Sequence, residues 1–236
     1  MTETNPASVT IGILGSGQLG RMLAIAAAQL GLRTHVFAPD ADNSPAGDIA
    51  HRTTTASYDD TAALATFAAD VDVITSEFEN VPATIMDLLA DICPVSPGRI
   101  ALHTAQHRIR EKTLARELGI ATPKFWPIAS ASDLKAAMRG HGLPGIMKTC
   151  TLGYDGKGQV RIKPGDDMDA AFDSLGTDDA ILEEMVDFAA EASFLLARNA
   201  TGEISHFPAS LNHHRNGILA QSTAPAPLHE DIIAEG

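Results

Sequence analysis

The sequence predicts an α/β region followed by an α+β region, and three observations predict it. Residues 9–81 alternate short β-rich apolar runs with helix-patterned segments. From about residue 100 that alternation stops, and strand-like runs begin to follow one another directly. The two glycine-rich stretches differ in setting: GSGQLG (15–20) follows one apolar run, whereas GYDGKGQ (153–159) lies between two. The chain has 236 residues, 44% hydrophobic and 20% charged, which suits one large or two small folded domains.

Taken in order, VTIGILG (9–15) is a short apolar run ending in glycine, the pattern of a buried parallel strand entering a tight turn. QLGRMLAIAAAQLG then carries Leu19, Met22, Leu23, Ile25, Ala26 and Leu30 near helical spacing, with Gly31 placed to end the helix. RTHVFAP (33–39) reads as a second strand, TAALATFAAD as a weaker helix, and VDVITSEFENV (71–81) as a further strand with a polar end. This β-α-β-α-β order predicts a parallel sheet with right-handed crossovers. Ligands of such sheets lie beyond the carboxyl ends of the strands, where Gly15, Gln18 and Glu77 would sit.

After the connector PVSPGR, ALHTAQHRIREKTLARELG predicts one charged helix closing at Gly119, and ATPKFWP breaks it. SASDLKAAMRGHG predicts a helix capped by Ser132 or Asp133. GIMKT and GQVRI predict a hairpin whose tip is the second glycine-rich loop, and AAFDSL a short helix. AILEEMV, the span ASFLLARNATGEISHFPAS and the run to GILAQST predict successive antiparallel strands, with NATGE as a turn. The end, HEDIIAEG, has the start of a helix with Ile232 and Ile233 on its apolar face.

Composition narrows the function classes. A formal net charge of −13 disfavours nucleic acid or an anionic membrane as partner, while local Lys and Arg could still hold a small anion. Cys93 and Cys150 form neither a disulfide framework nor a CxxC pair, which points to a reducing compartment. MTETNPASVTIGIL lacks a basic segment before an apolar run, and MLAIAAA is too short to span a bilayer, so the expected location is cytoplasmic.

GSGQLG fits G-x-G-x-x-G, but the acid expected after the second strand of a dinucleotide site, Asp40, is displaced beyond Pro39. The residues alone leave open a dinucleotide site, another anion at the helix N-terminus, or a turn glycine cluster with no ligand. GYDGKGQ is not a Walker A loop: Gln159 stands where that motif needs Lys. It has the composition of a flap that could fold over phosphates, with Lys157 at its tip and Lys148 on the strand before it. Glu183 and Glu184, followed by Met185 and Val186, could hold a base between polar and apolar groups. His213 and His214 are adjacent on a strand, so simple alternation puts them on opposite faces and argues against a shared metal ion.

ILGSGQLGRML, SEFENVP, QHRIREKTLARELGIATP, IMKTCTLGYDGKGQ, EEMVDFAAEASFLLARNATGE and LNHHRNGILAQSTAPAP, in this order, cover essentially the whole chain. Together they resemble the ATP-grasp superfamily and, within it, the N5-carboxyaminoimidazole ribonucleotide synthetase family. The formate-dependent transformylases are the nearest rival. The resemblance implies an N-terminal Rossmann-like parallel sheet, the pre-ATP-grasp domain, over 1–105. It implies a linker helix and small ATP-grasp lobe over 106–185, and the start of a large lobe over 186–236, truncated.

It further implies an ATP-dependent carbon–nitrogen ligase of purine biosynthesis. Such an enzyme joins 5-aminoimidazole ribonucleotide and bicarbonate through carboxyphosphate, with ATP and Mg²⁺, and works as a homodimer. ATP would contact Arg108, Lys148, Gly153, Tyr154, Asp155, Gly156, Lys157, Gly158, Gln159, Glu183, Glu184, Met185, Val186, Glu191 and His214. Gln18, Glu77, Tyr154 and Asp155 would face the ribonucleotide, with Asp155 and Lys148 as the catalytic pair. The Mg²⁺ ligands of the family would lie beyond Gly236, and His107 stands where the family usually has Asp. Two other readings compete: a non-catalytic nucleotide-binding fragment, and an NAD-dependent oxidoreductase resting on GSGQLG.

Overall fold

The computed structural model describes residues 9–141, 144–153, 157–215 and 217–236. The chain forms two compact units, Met1–Ile120 and Ala121–Gly236. No helix among the described residues is long and apolar enough to cross a membrane.

The first unit is built on a parallel sheet of order β3-β2-β1-β4, formed by β1 (Thr10–Leu14), β2 (Arg33–Ala38), β3 (Arg52–Thr55) and β4 (Val73–Ser76). Its helices are α1 (Gln18–Gln29), α2 (Thr61–Ala69), α3 (Ile85–Ala90), α4 (Arg99–Ala105) and α5 (Arg108–Glu117). The two faces of the sheet bury separate clusters. Leu14, Phe37, Leu64, Phe67, Ile74, Met86 and Leu89 form one, and Ile13, Ala24, Val36, Ala38, Ala41 and Ala46 the other. Adjacent Ile13 and Leu14 point opposite ways, as strand alternation requires.

Four features differ from the expectations. The strand at 71–81 ends at Ser76, whose hydroxyl donates to Phe78 O at 2.7 Å and turns SEFENV out of the sheet. RTTT forms an edge strand, β3, that its polar side chains concealed. The single charged helix is two, because Gln106 Nε2 donates to Glu79 O (2.5 Å) and Val81 O (2.6 Å) and His107 adopts an extended backbone. Finally, α1 buries Gly20, Ala24 and Ala27, while Leu19, Met22, Leu23, Ile25 and Leu30 are exposed. Small residues let the helix backbone approach the sheet, so the bulky apolar stripe faces outward.

The second unit begins with an antiparallel sheet of order β5-β8-β6-β7: β5 (Phe125–Ile128), β6 (Gly145–Thr149), β7 (Gln159–Ile162) and β8 (Ala180–Glu184). Helices α6 (Ala131–His141) and α7 (Met168–Asp173) accompany it, around a core of Ile128, Leu134, Met147, Ile162, Ala180 and Leu182. β5 lies in the segment read only as a breaker; Pro127 is tolerated there because β5 is an edge strand. The cap of α6 is Ser130, not Ser132 or Asp133. Ser130 Oγ accepts from Asp133 N (3.2 Å), and Asp133 accepts from Ser130 Oγ (2.8 Å) and Ala129 N (3.1 Å).

Beyond β8, β9 (Glu191–Ser193), β12 (Ser210–Arg215) and β13 (Ile218–Thr223) make a sheet of order β13-β12-β9. β10 (Leu196–Arg198) and β11 (Ile204–His206) form the hairpin whose turn is NATGE, and α8 is Glu230–Glu235.

Candidate nucleotide and substrate sites

At the carboxyl edge of the parallel sheet, β1 runs into GSGQLG. Gly15 has φ +104° and a Cβ there would stand 2.5 Å from Glu77 Oε1, so glycine is required twice over. Glu77, just after β4, accepts from Gly17 N at 2.9 Å and from Gly20 N at 3.1 Å. The anion at this helix N-terminus is therefore the protein's own carboxylate. This arrangement explains the misplaced acid as well: Asp40 accepts from Ser16 Oγ at 2.7 Å. A pyrophosphate would meet two carboxylates here, which disfavours the dinucleotide reading.

Gly15, Ser16, Gly17, Asp40, Tyr58, Glu77 and Phe78 border a cleft of about 420 Å³. Burial, and then the charges of Glu77 and Asp40, push the Tyr58 phenol up to about 12. It stays protonated and can donate to a ligand oxygen. Gln18 is exposed at the first position of α1. Tyr58 escaped the sequence reading; its signal was a Tyr placed before the acidic turn DD after a polar edge strand. A separate recess of about 690 Å³, bordered by Asp87, Arg99, Ile100 and His103, involves none of the expected site residues.

In the second unit, β6 and β7 form the expected hairpin, with Lys148 paired to Gln159. Gly158 has φ +65° and its carbonyl accepts from Thr149 N at 2.9 Å, closing the base of the loop. Gly153 is half-buried, Lys157 is exposed, and Tyr154, Asp155 and Gly156 lie outside the described residues. Lys148 Nζ donates to Glu183 Oε2 at 3.0 Å, with side chains 23% and 8% exposed. Ile146, not Lys148, is opposite Glu183, so the pair bridges β6 and β8 diagonally on one face.

Beyond Glu184 the chain leaves β8. Glu184 N donates to Lys124 O at 2.8 Å and Met185 N to Pro144 O at 3.3 Å, fixing the segment; Met185 and Val186 expose apolar surface. Arg108, the first residue of α5, belongs to the other unit.

Glu191 on β9 faces Asn212 on β12 and stands 3.5 Å from His214 Nδ1. His213 and His214 do not alternate simply. A register shift between them interrupts the β12–β13 ladder, and both border a cleft of about 490 Å³ with Arg215 and Gln221.

Residues 8–106 match the family model of the ribonucleotide synthetase preATP-grasp domain, and residues 113–235 match that of the ATP-grasp domain. An N5-carboxyaminoimidazole ribonucleotide synthase of Brucella melitensis is 45% identical over 229 residues, covering 96% of this chain and 63% of that protein. The solved ADP complex of an N5-carboxyaminoimidazole ribonucleotide synthetase superposes with a TM-score of 0.91 at 35% identity, over 100% of this chain and 62% of that one. The Aspergillus clavatus N5-carboxyaminoimidazole synthase, solved with ADP and 5-aminoimidazole ribonucleotide, gives 0.85 at 27% identity over 97% and 60%. The chain thus spans about three fifths of the length of these relatives. With both family models in tandem along it, the chain belongs to the ATP-grasp family and carries the ribonucleotide synthetase preATP-grasp domain ahead of the ATP-grasp domain.

Proposed function

We propose that this chain supplies the ribonucleotide-facing and nucleotide-binding parts of a cytoplasmic ATP-dependent ligase that converts 5-aminoimidazole ribonucleotide and bicarbonate to N5-carboxyaminoimidazole ribonucleotide, ADP and phosphate. The observation that carries this reading is the tandem order of the two domains. The hairpin site supports it through Lys148, a fixed ammonium beside a glycine-rich loop. In this reading ATP phosphorylates bicarbonate, and the amine of the ribonucleotide takes the carboxyl group from carboxyphosphate or from the carbon dioxide it releases.

Each residue then has a task. Lys148, held by Glu183, would place a positive charge against ATP phosphates. The loop 153–159, with Lys157, would close over them and exclude water. Glu183 to Val186 would cover the base, Glu191 would accept from ribose hydroxyls, and Arg108 and His214 would meet phosphate oxygens. Gln18, Glu77, Tyr154 and Asp155 would hold the ribonucleotide. The carboxylates of the sheet-edge cleft suit its amine and hydroxyl end rather than its phosphate.

Mg²⁺ would neutralise phosphate charge during transfer. Such an ion takes one or two protein carboxylates beside the phosphate oxygens, and none of the described residues is assigned to it. For function, the segments 1–105, 106–185 and 186–236 would serve as substrate domain, flap-bearing lobe and the beginning of the second lobe. Self-association through the exposed apolar stripe of α1 would account for a homodimer.

The test is ADP release from MgATP and bicarbonate, with and without 5-aminoimidazole ribonucleotide. It is run on this chain and on the same chain joined to the segment that follows the matched region in the Brucella relative. Ribonucleotide-dependent release from the joined protein is expected. Release from neither protein would remove the ligase reading and leave a nucleotide-binding module.

A further inference from the structure

The strand β4 ends at Ser76, and residues 78–81 leave the ladder of the parallel sheet. Side chains take over their carbonyls. Ser76 Oγ donates to Phe78 O at 2.7 Å, and Gln106 Nε2 donates to Glu79 O at 2.5 Å and to Val81 O at 2.6 Å. A carbonyl oxygen only accepts, so the amide must present its NH₂ group, and its two hydrogens serve the carbonyls on either side of Asn80.

Both ends of this loop are fixed. At its start, the Glu77 carboxylate accepts from Gly17 N and Gly20 N. At its end, Val81 is buried in the same apolar cluster as Leu102 of α4. Gln106 caps α4, and its own N–H donates to Leu102 O at 3.0 Å, so the amide reaches out from a backbone tied to that core. Between the fixed ends stands Phe78, 44% exposed, at the border of the cleft with Glu77, Asp40 and Tyr58. The interruption between α4 and α5 forfeits helical hydrogen bonds at Gln106 and His107. It places the amide against the loop that carries Phe78.

We propose that Gln106 is a positioning residue of the sheet-edge cleft. It grips the backbone just after Phe78, so that the ring stays in place as a wall of the cleft beside Glu77. A wall that is held before the ligand arrives costs no ordering on binding. The identity of the ligand, 5-aminoimidazole ribonucleotide, rests on the function proposed above. The grip on the loop does not.

Two measurements test this on the wild-type chain, on Gln106→Met, which keeps the length and loses the donors, and on Gln106→Lys, which keeps N–H donors. The first is the ¹³C resonance of the Glu79 and Val81 carbonyls. Both are expected to move in Gln106→Met and to return toward the wild type in Gln106→Lys. The second is the affinity for 5-aminoimidazole ribonucleotide, followed by NMR at the Gly15 and Gly17 amides. It is expected to fall about tenfold in Gln106→Met and to recover in Gln106→Lys. In a Phe78→Ala background, Gln106→Met should cost little more, because Gln106 acts through Phe78. Should Gln106→Met fail to fold, Gln106→Asn shortens the reach by one carbon and should move both readouts in the same direction by less.

Carbonyl resonances that stay put, an affinity unchanged in folded Gln106→Met, or losses that simply add to those of Phe78→Ala would overturn the positioning role. Carbonyls that depend on Gln106 in a chain that binds no ribonucleotide would overturn the assignment of that ligand to the cleft and leave the grip on the loop standing.

Discussion

His35 lies in the middle of β2, 1% exposed, with Nε2 at 2.8 Å from Thr54 Oγ1 and its ring edge-on to Phe67 at 4.9 Å. Its Nδ1 is buried without a hydrogen-bond partner. Burial, followed by the charge of Arg52 and opposed by Asp70, lowers its pKa to about 4. The unfolded chain, with an ordinary histidine near 6.5, binds this proton first. The resulting stability is fully present above about pH 6.5 and is lost as pH falls toward about 4, by on the order of 3 kcal/mol at most. In urea melts at pH 7 and pH 4.5, His35→Gln should be the less stable protein at neutral pH, and the gap should narrow on acidification. A gap that stays constant would show that His35 does not titrate within the fold.

At the scale of elements, legibility followed how local the cause was. β1, α1, β2 and α2 were readable because their apolar patterns and their ends, Gly31 among them, are written within one segment. β3 was not, because RTTT becomes a strand only by pairing with β2. The break between α4 and α5 depends on Gln106 reaching two carbonyls more than twenty residues earlier, so the charged pattern alone read as one helix. The site shows the same division. Lys148 and the hairpin were visible locally, whereas Glu77 as the cap of α1, Tyr58 in the cleft and the bulge at His213 required tertiary structure. The hairpin loop also yields a prediction. Trypsin should cut the chain after exposed Lys157, and saturating ATP should slow that cut at least severalfold; equal cutting rates would remove the loop from the nucleotide site.

For the molecule as a whole, the proposed function asks an acidic chain to bind a polyanion. With a net charge of −13, the long-range field repels ATP, and screening by salt confines that repulsion to about 10 Å. Binding must then come from a few fixed local cations, and Lys148, held by nearly buried Glu183, is one of them. Removing Lys148 alone takes the ammonium away from a nearly buried carboxylate, which destabilises the fold. Lys148→Met is therefore paired with the double variant Lys148→Met/Glu183→Gln, and thermal melts exclude unfolding. The decisive measurement is MgATP affinity by calorimetry for the wild-type chain and these variants. The account predicts binding by the wild type and a loss of about a hundredfold or more in folded Lys148→Met, not restored in the double variant. Wild-type affinity retained in folded Lys148→Met would contradict it.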